Sequence, residues 1–329
     1  MLPSDTGTNA RLGLGATGLG NHRVALDDAD ALTIVDEAWN SGLRLFDTAP
    51  HYGLGLSERR LGAALASRPR SEYRLSTKVG RSLVPRPNPQ QALDDDEQFL
   101  VPADHDRVWD FTERGIRACI ESSLGRLETD YIDVAYLHDP ERWDLEAALA
   151  TGVAALLAVR NEGLVRRVGV ASMQLRALVQ SARFDGVEEL MAAGRLTLLD
   201  RRAVGELLPI CVARNIGVTA AAPFNGGVLA DSLAGPSLTY DYAPADPEVV
   251  ARSRDLHDTC AAFGVPLRAA ALQFPVRQPA VHSVVVGAVR PGQIESNAAL
   301  MAMALPEELW QALDATSAHR REPVDGSTR

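Results

Sequence analysis

The chain has 329 residues, 46% of them hydrophobic, which is ample for a sizeable core; that length allows two domains, but a single α/β barrel often runs as long. A net charge of −10 and a pI near 5.2 argue against nucleic acid or an anionic membrane as the main partner, while leaving room for an anionic cofactor in a local positive pocket. Cys119, Cys211 and Cys260 are scattered and form no C-x-x-C pair, which suggests reduced thiols and a cytoplasmic location; no apolar run reaches membrane-spanning length, and Met1 to Ala10 carries no secretion signal.

In chain order, strand-like and helix-like runs alternate about eight times, and this predicts a single (β/α)8 barrel spanning the chain, with its active site at the C-terminal ends of the strands. Arg11 to Gly15 reads as the first strand, and Asp27 to Asn40 has helical spacing through Ala31, Ile34, Val35 and Ala38. Leu43 to Asp47 is the second strand, and Ser57 is the expected N-cap of a helix through Leu65. Tyr73 to Lys78 is the third strand. Residues 79–107 read as an irregular loop, because four prolines (Pro85, Pro87, Pro89 and Pro102) and the acidic run Asp94 to Glu97 interrupt any pattern. Val108 to Leu127 reads as helix, Ile132 to His138 as strand, and Leu145 to Glu162 as a helix closed by Gly163. Next come a strand at Arg167 to Ala171, a short helix at Leu175 to Ala182, and a weaker strand at Val187 to Ala192. A helix at Leu207 to Arg214 precedes the seventh strand, Ile216 to Ala222. Val249 to Phe263 and Leu267 to Phe274 are helical, and Val281 to Gly287 is the eighth strand. Pro291 is placed as the first residue of the next helix, Glu307 to Ala315 forms a last one, and the tail 319–329 is expected to fray.

Four polar groups stand at or just past these strand ends: Asp47, Tyr52, Lys78 and His138. An acid, a phenol, an ammonium and an imidazole gathered on one barrel face make a proton-transfer site. An unperturbed tyrosine has a pKa near ~10 and needs a nearby cation to work as an acid or base at neutral pH. Lys78 supplies that charge in this reading, Asp47 holds Lys78, and His138 orients the substrate oxygen. Taken singly, each has a plainer role, as a turn cap, a loop anchor, a snorkelling lysine or a structural histidine. His51, beside Tyr52, and Trp109 are candidate substrate-binding residues. The seven histidines show no paired metal-ligand spacing, so no metal is expected.

The segments Phe46-Asp47-Thr48-Ala49-Pro50-His51-Tyr52-Gly53, Ser76-Thr77-Lys78-Val79-Gly80 and Tyr136-Leu137-His138-Asp139-Pro140 resemble the acid-and-tyrosine, lysine and histidine signatures of the aldo-keto reductase superfamily. The resemblance covers about Arg11 to Trp310. Gly53 to Glu58, Val108 to Phe111, Tyr240 to Pro244 and Leu267 to Pro275 further resemble the aldose 1-dehydrogenase and pyridoxal 4-dehydrogenase branch. That branch implies oxidation of a cyclic hemiacetal to a lactone with a nicotinamide cofactor.

The resemblance also implies where a dinucleotide lies. Gly15, Ala16 and Thr17 would meet the nicotinamide end, with Ser172 at the amide. Phe224, Asn225, Gly226 and Leu229 would wrap the pyrophosphate, and Gly287, Arg290, Gln293 and Asn297 would hold the adenosine. Many NADP-using relatives carry a lysine where Gly287 stands and an arginine where Gln293 stands. Their lack here favours NAD, with NADP as the alternative through Arg290. Ala171, Ser172, Met173 and Ala193 depart from the common amide clamp. The sequence leaves two other readings open, an aldehyde or ketone reductase and a cofactor-binding redox-sensing module with slow turnover. It names a small carbonyl or hemiacetal partner and leaves the oligomeric state undetermined.

Overall fold

The structure is a computed structural model that describes residues 9–87, 92–230, 238–241 and 243–318. The expected tail at 319–329 and Tyr242 of the Tyr240 to Pro244 motif lie outside these residues.

Eight parallel strands close into one barrel: β1 (Leu12–Gly15), β2 (Leu45–Asp47), β3 (Arg74–Val79), β4 (Ile132–His138), β5 (Val165–Ser172), β6 (Glu189–Ala193), β7 (Gly217–Ala221) and β8 (Val281–Gly287). Each pairs with its sequence neighbours, and β1 closes the ring on β8 with Gly15 beside Gly287. The strands alternate sides, so Leu45, Val134, Tyr136, Ala171, Met191 and Val285 pack together as one inner cluster. The same alternation carries Asp47 and His138 inward one step beyond Leu45 and Tyr136, at the mouth where β2 and β4 end.

Helices surround the barrel and share its outer core: α1 (Asp28–Asn40), α2 (Leu56–Leu65), α3 (Glu113–Leu127), α4 (Leu145–Asn161), α5 (Leu175–Ala182), α6 (Arg202–Glu206), α7 (Leu208–Arg214), α8 (Pro247–Ala262), α9 (Leu267–Val276), α10 (Gln293–Ala302) and α11 (Glu307–Ala318), which packs on α8. Side-chain caps start three of them. Asp27 accepts from Asp30 N, Thr112 from Gly115 N and Asp144 from Ala147 N.

The plain alternation of eight strands and eight helices needs correction. The described part of residues 79–107, which leaves out 88–91 and so Pro89, is not irregular. Arg81–Pro85 pairs antiparallel with His105–Trp109, and Leu93–Asp94 pairs with Phe99–Pro102 across a short 3-10 turn, Asp95–Glu97. The prolines that suggested a loop include Pro85 and Pro102, each at the end of an edge strand, where no ladder donor is lost. Val108 and Trp109 therefore belong to a strand, and α3 begins only at Glu113. Ser57 is not a cap either. Gly55, with φ +82°, precedes α2, and the Ser57 hydroxyl instead donates to Ala16 O at 2.7 Å. Pro291 lies outside α10, which starts at Gln293 behind Gly292.

Candidate active site

The mouth of the barrel opens into a cavity of about 440 Å³ lined by Asp47, Tyr52, Lys78 and His138. The register of the sheet explains the meeting: Asp47 lies beside Ser76 of β3, Lys78 beside Tyr136 of β4, and His138 beside Ala171 of β5. Lys78 Nζ donates to Asp47 Oδ2 at 2.7 Å and to Thr48 O at 2.9 Å, and Ser76 Oγ donates to the other Asp47 oxygen at 2.7 Å. The ammonium lies 4.7 Å from the centre of the Tyr52 ring. Burial pulls the Lys78 pKa down, but Asp47 and then Tyr52 outweigh it and hold the group above its ordinary value, so it stays charged. Burial first, then Arg81 and Lys78, keeps the His138 pKa well below the usual imidazole range. His138 is thus neutral at pH 7, with one ring N–H to donate. Its ring stands edge-on to Tyr52, with centroids 6.1 Å apart.

Behind this centre lies a polar support. Ser57 Oγ joins Thr48 Oγ1 at 2.8 Å. Glu58, fully buried, accepts from Thr77 Oγ1 at 2.7 Å and from Arg126 Nε at 2.6 Å. These contacts tie β3, which carries Lys78, to α2, the helix that follows the loop carrying Tyr52.

The hairpins after β3 cover the mouth. Phe99 is buried with Leu54 and Val101, against Tyr52. Arg107 donates to both Asp94 oxygens at 2.8 and 2.5 Å and to His51 O at 3.0 Å, which ties the two hairpins to the loop after β2. His51 is buried in the cavity wall, its ring against those of Phe99 and His138. Trp109 does not line the cavity. It stands behind Arg81, whose guanidinium carbon is 4.5 Å from the centre of its ring. The sequence reading missed Arg81, Asp139, Arg142 and Phe99, all of which line the cavity. Asp139 stood next to His138 in the quoted motif and was a usable signal. Arg81 and Phe99 lay in a stretch taken for loop.

Of the candidate cofactor residues, Gly15, Thr17, Ser172 and Gly287 line the same cavity, and Ala16 is buried beneath, its N–H donating to Asp47 O at 2.8 Å. Gly18 is pressed against the loop after β8, where a Cβ would come within 2.1 Å of Ala288 O, so the two loops meet closely. Phe224, Asn225, Gly226 and Leu229 form the turn after β7 and do not line the cavity. Asn225 is buried, with Nδ2 donating to Gly194 O at 3.1 Å and Oδ1 accepting nothing among the described residues. Gln293 Oε1 accepts from Val289 N at 2.8 Å and Arg290 N at 3.1 Å, so this side chain braces its own loop. Asn297 Oδ1 is taken by Arg268 at 2.6 Å, and Arg290 is exposed. Ser172 Oγ accepts from Gln174 N at 2.8 Å and donates to Glu141 at 2.5 Å. The open wall at Gly15 and Gly287 fits a dinucleotide laid across the mouth. Among the described residues no cluster of three or more histidine, cysteine, aspartate or glutamate side chains is placed to hold a metal ion, and no helix is long and apolar enough to cross a membrane.

Comparison with known proteins follows the same lines. The model of the Aldo/keto reductase family matches residues 11–318. The chain is 47% identical over 305 residues to a D-threo-aldose 1-dehydrogenase of a Pseudomonas species, covering 92% of each protein. It is 33% identical to a pyridoxal 4-dehydrogenase of Microbacterium luteolum, covering 93% of each. Among solved structures, the glycerol dehydrogenase of Gluconobacter oxydans superposes with a TM-score of 0.77 at 23% identity, over 97% of this chain and 95% of that one, a likeness of fold.

Proposed function

The chain belongs to the aldo/keto reductase family, and from that premise we propose that it oxidises the cyclic hemiacetal of an aldose to a lactone, with NAD as cofactor. The observation that carries this reading is the convergence of Tyr52, Lys78, Asp47 and His138 on one cavity. The 47% identical aldose dehydrogenase supports the substrate class. A bound nicotinamide supplies the hydride chemistry. The chain's own residues handle the proton and the oxygen. Tyr52 takes the proton of the anomeric hydroxyl as the carbonyl forms, and returns it when the reaction runs toward reduction. Lys78, fixed by Asp47 and Thr48 O, places positive charge beside the phenol. Neutral His138 donates a hydrogen bond to the same substrate oxygen and sets its direction.

NAD is preferred over NADP on charge. The Glu37 carboxylate receives the Gly292 N–H at 2.8 Å with both oxygens, at the start of α10. An anion already sits where the resemblance puts the adenosine end, which disfavours a 2′-phosphate.

Two measurements test this. Tyr52→Phe keeps the ring and loses the hydroxyl. Turnover should fall by about 10²-fold or more while dinucleotide affinity, read by fluorescence titration, holds. Turnover within about twofold of wild type rejects the assignment. In paired kinetics NAD should outperform NADP, and Glu37→Gln should narrow the gap. An NADP preference in the wild type defeats the charge argument.

A further inference from the structure

The proton machinery leaves one wall of the cavity unused. It is built by Arg81, the first residue after β3 and Gly80, and by Asp139, the first after β4. Arg81 is 4% exposed, and its Nη2 donates to Asp139 Oδ2. The Trp109 ring lies against one face of its guanidinium. This holds the pair rigid across 58 residues of sequence. Among the described residues, Arg81 Nε and Nδ1 of His51, 9% exposed in the same wall, are buried and have no hydrogen-bond partner. Arg81, Asp139 and His51 all line the cavity, so the polar groups of a ligand there meet the ion pair and the imidazole together. Phe99 stands against the His51 ring and adds an apolar surface to that wall.

The wall has both signs of charge. Arg81 and Arg142 are balanced by Asp139, Asp96 and Glu97, so it does not select an anion. A planar donor fixed beside a carboxylate acceptor suits a group that both accepts and donates, and a hydroxyl does this. Two neighbouring hydroxyls can engage the pair together. The pair is also next to the reacting position, since Asp139 Oδ2 is 3.9 Å from His138 Nε2. An oxygen held by His138 therefore leaves the hydroxyls on the adjoining carbons within reach of Asp139 and Arg81.

We propose that Arg81 and Asp139, with His51 beside them, form a subsite for the vicinal hydroxyls next to the reacting carbon, and that this subsite makes the enzyme select polyhydroxylated rings over carbonyl compounds that lack them. The proposal rests on the aldose reading above and deepens it. A guanidinium N–H of Arg81 donates to one hydroxyl oxygen, Asp139 accepts from a hydroxyl proton, and Phe99 covers the apolar face of the ring. No bond is made or broken at the subsite.

The test compares an accepted aldose with its 2-deoxy and 3-deoxy analogues, in wild type and in Arg81→Met and Asp139→Asn, by kcat/KM with NAD. Wild type should discriminate against at least one deoxy sugar by about tenfold or more. In both variants that ratio should fall toward one, whatever happens to the absolute rates. A residue with only a structural role lowers both rates together and leaves the ratio standing, so an unchanged ratio overturns the proposal. The wild-type comparison stands even if a variant fails to fold, and equal rates on all three sugars also overturn it. If the wild type oxidises no aldose but turns over simple carbonyls, the aldose reading itself fails and takes the subsite with it. Aldose turnover without deoxy discrimination sinks the subsite alone.

Discussion

His51 and His138 are held neutral by burial and by the cations around them, with Arg81 the leading charge on each. In the unfolded chain such histidines take up a proton near pH ~6.5. In the folded chain they do so only well below it. As pH falls through 6.5 the unfolded state binds protons the folded state refuses, so stability present above that value is lost toward acid. Asp139 and Glu141, raised chiefly by burial, act in the opposite sense as pH falls toward their ordinary values. The histidine contribution is therefore best read by difference. His138→Asn should flatten the loss of stability between pH 6.5 and 5.5 by about 1 kcal/mol in urea titrations. Parallel pH profiles for the two proteins would show that imidazole charging is not the source. The residue scale is also where the sequence was most informative about the site. Asp47, Tyr52, Lys78 and His138 were recognisable because each follows a short strand-like run, and that signal is local. Arg81 was not recognisable, because its role depends on Asp139 and Trp109, which no local pattern joins to it.

At the scale of elements, the two hairpins after β3 decide the shape of the cavity, and Gly80 launches them. Its φ is +96°, and a Cβ there would sit 2.3 Å from the Phe111 ring. Gly80→Ala therefore combines backbone strain with a clash. It should cost about 1–3 kcal/mol of stability, visible as a lower denaturation midpoint, and should raise KM for the substrate by shifting Arg81. A variant as stable as wild type would mean that the turn relaxes freely. The hairpins were misread as loop because proline was counted as a breaker wherever it occurred. Two-stranded edges tolerate it, and the apolar runs Leu83-Val84 and Phe99 to Val101 carried a strand signal of their own. Ser57 shows a similar limit. A serine near a helix start reads as a cap, but α2 begins one residue before it and turns its hydroxyl to the β1 loop.

Across the whole molecule the two ends of the barrel carry different burdens. Glu189, 1% exposed at the start of β6, pairs with His282 Nε2 at 2.8 Å and Arg167 Nε at 3.1 Å. Burial alone would raise its pKa, but His282 and the arginines hold it below the ordinary value. It lies at the end opposite the candidate active site, where barrel residues serve stability. Glu189→Gln should cost about 1–3 kcal/mol by removing the carboxylate that Arg167 pairs with, while kcat stays within about twofold. A large fall in kcat with stability intact would show that the ends are coupled through the barrel interior. The amino-acid sequence by itself determined the rhythm of strands and helices and the order of the four polar groups that meet at the cavity, because periods of two and of 3.6 residues and short strand-end motifs are written in neighbouring positions. Only the tertiary structure decided that Arg81 meets Asp139, that Phe99 roofs Tyr52, and that Glu189 anchors the far end. Those contacts join distant stretches, and their energy exists only once the ring of strands has closed.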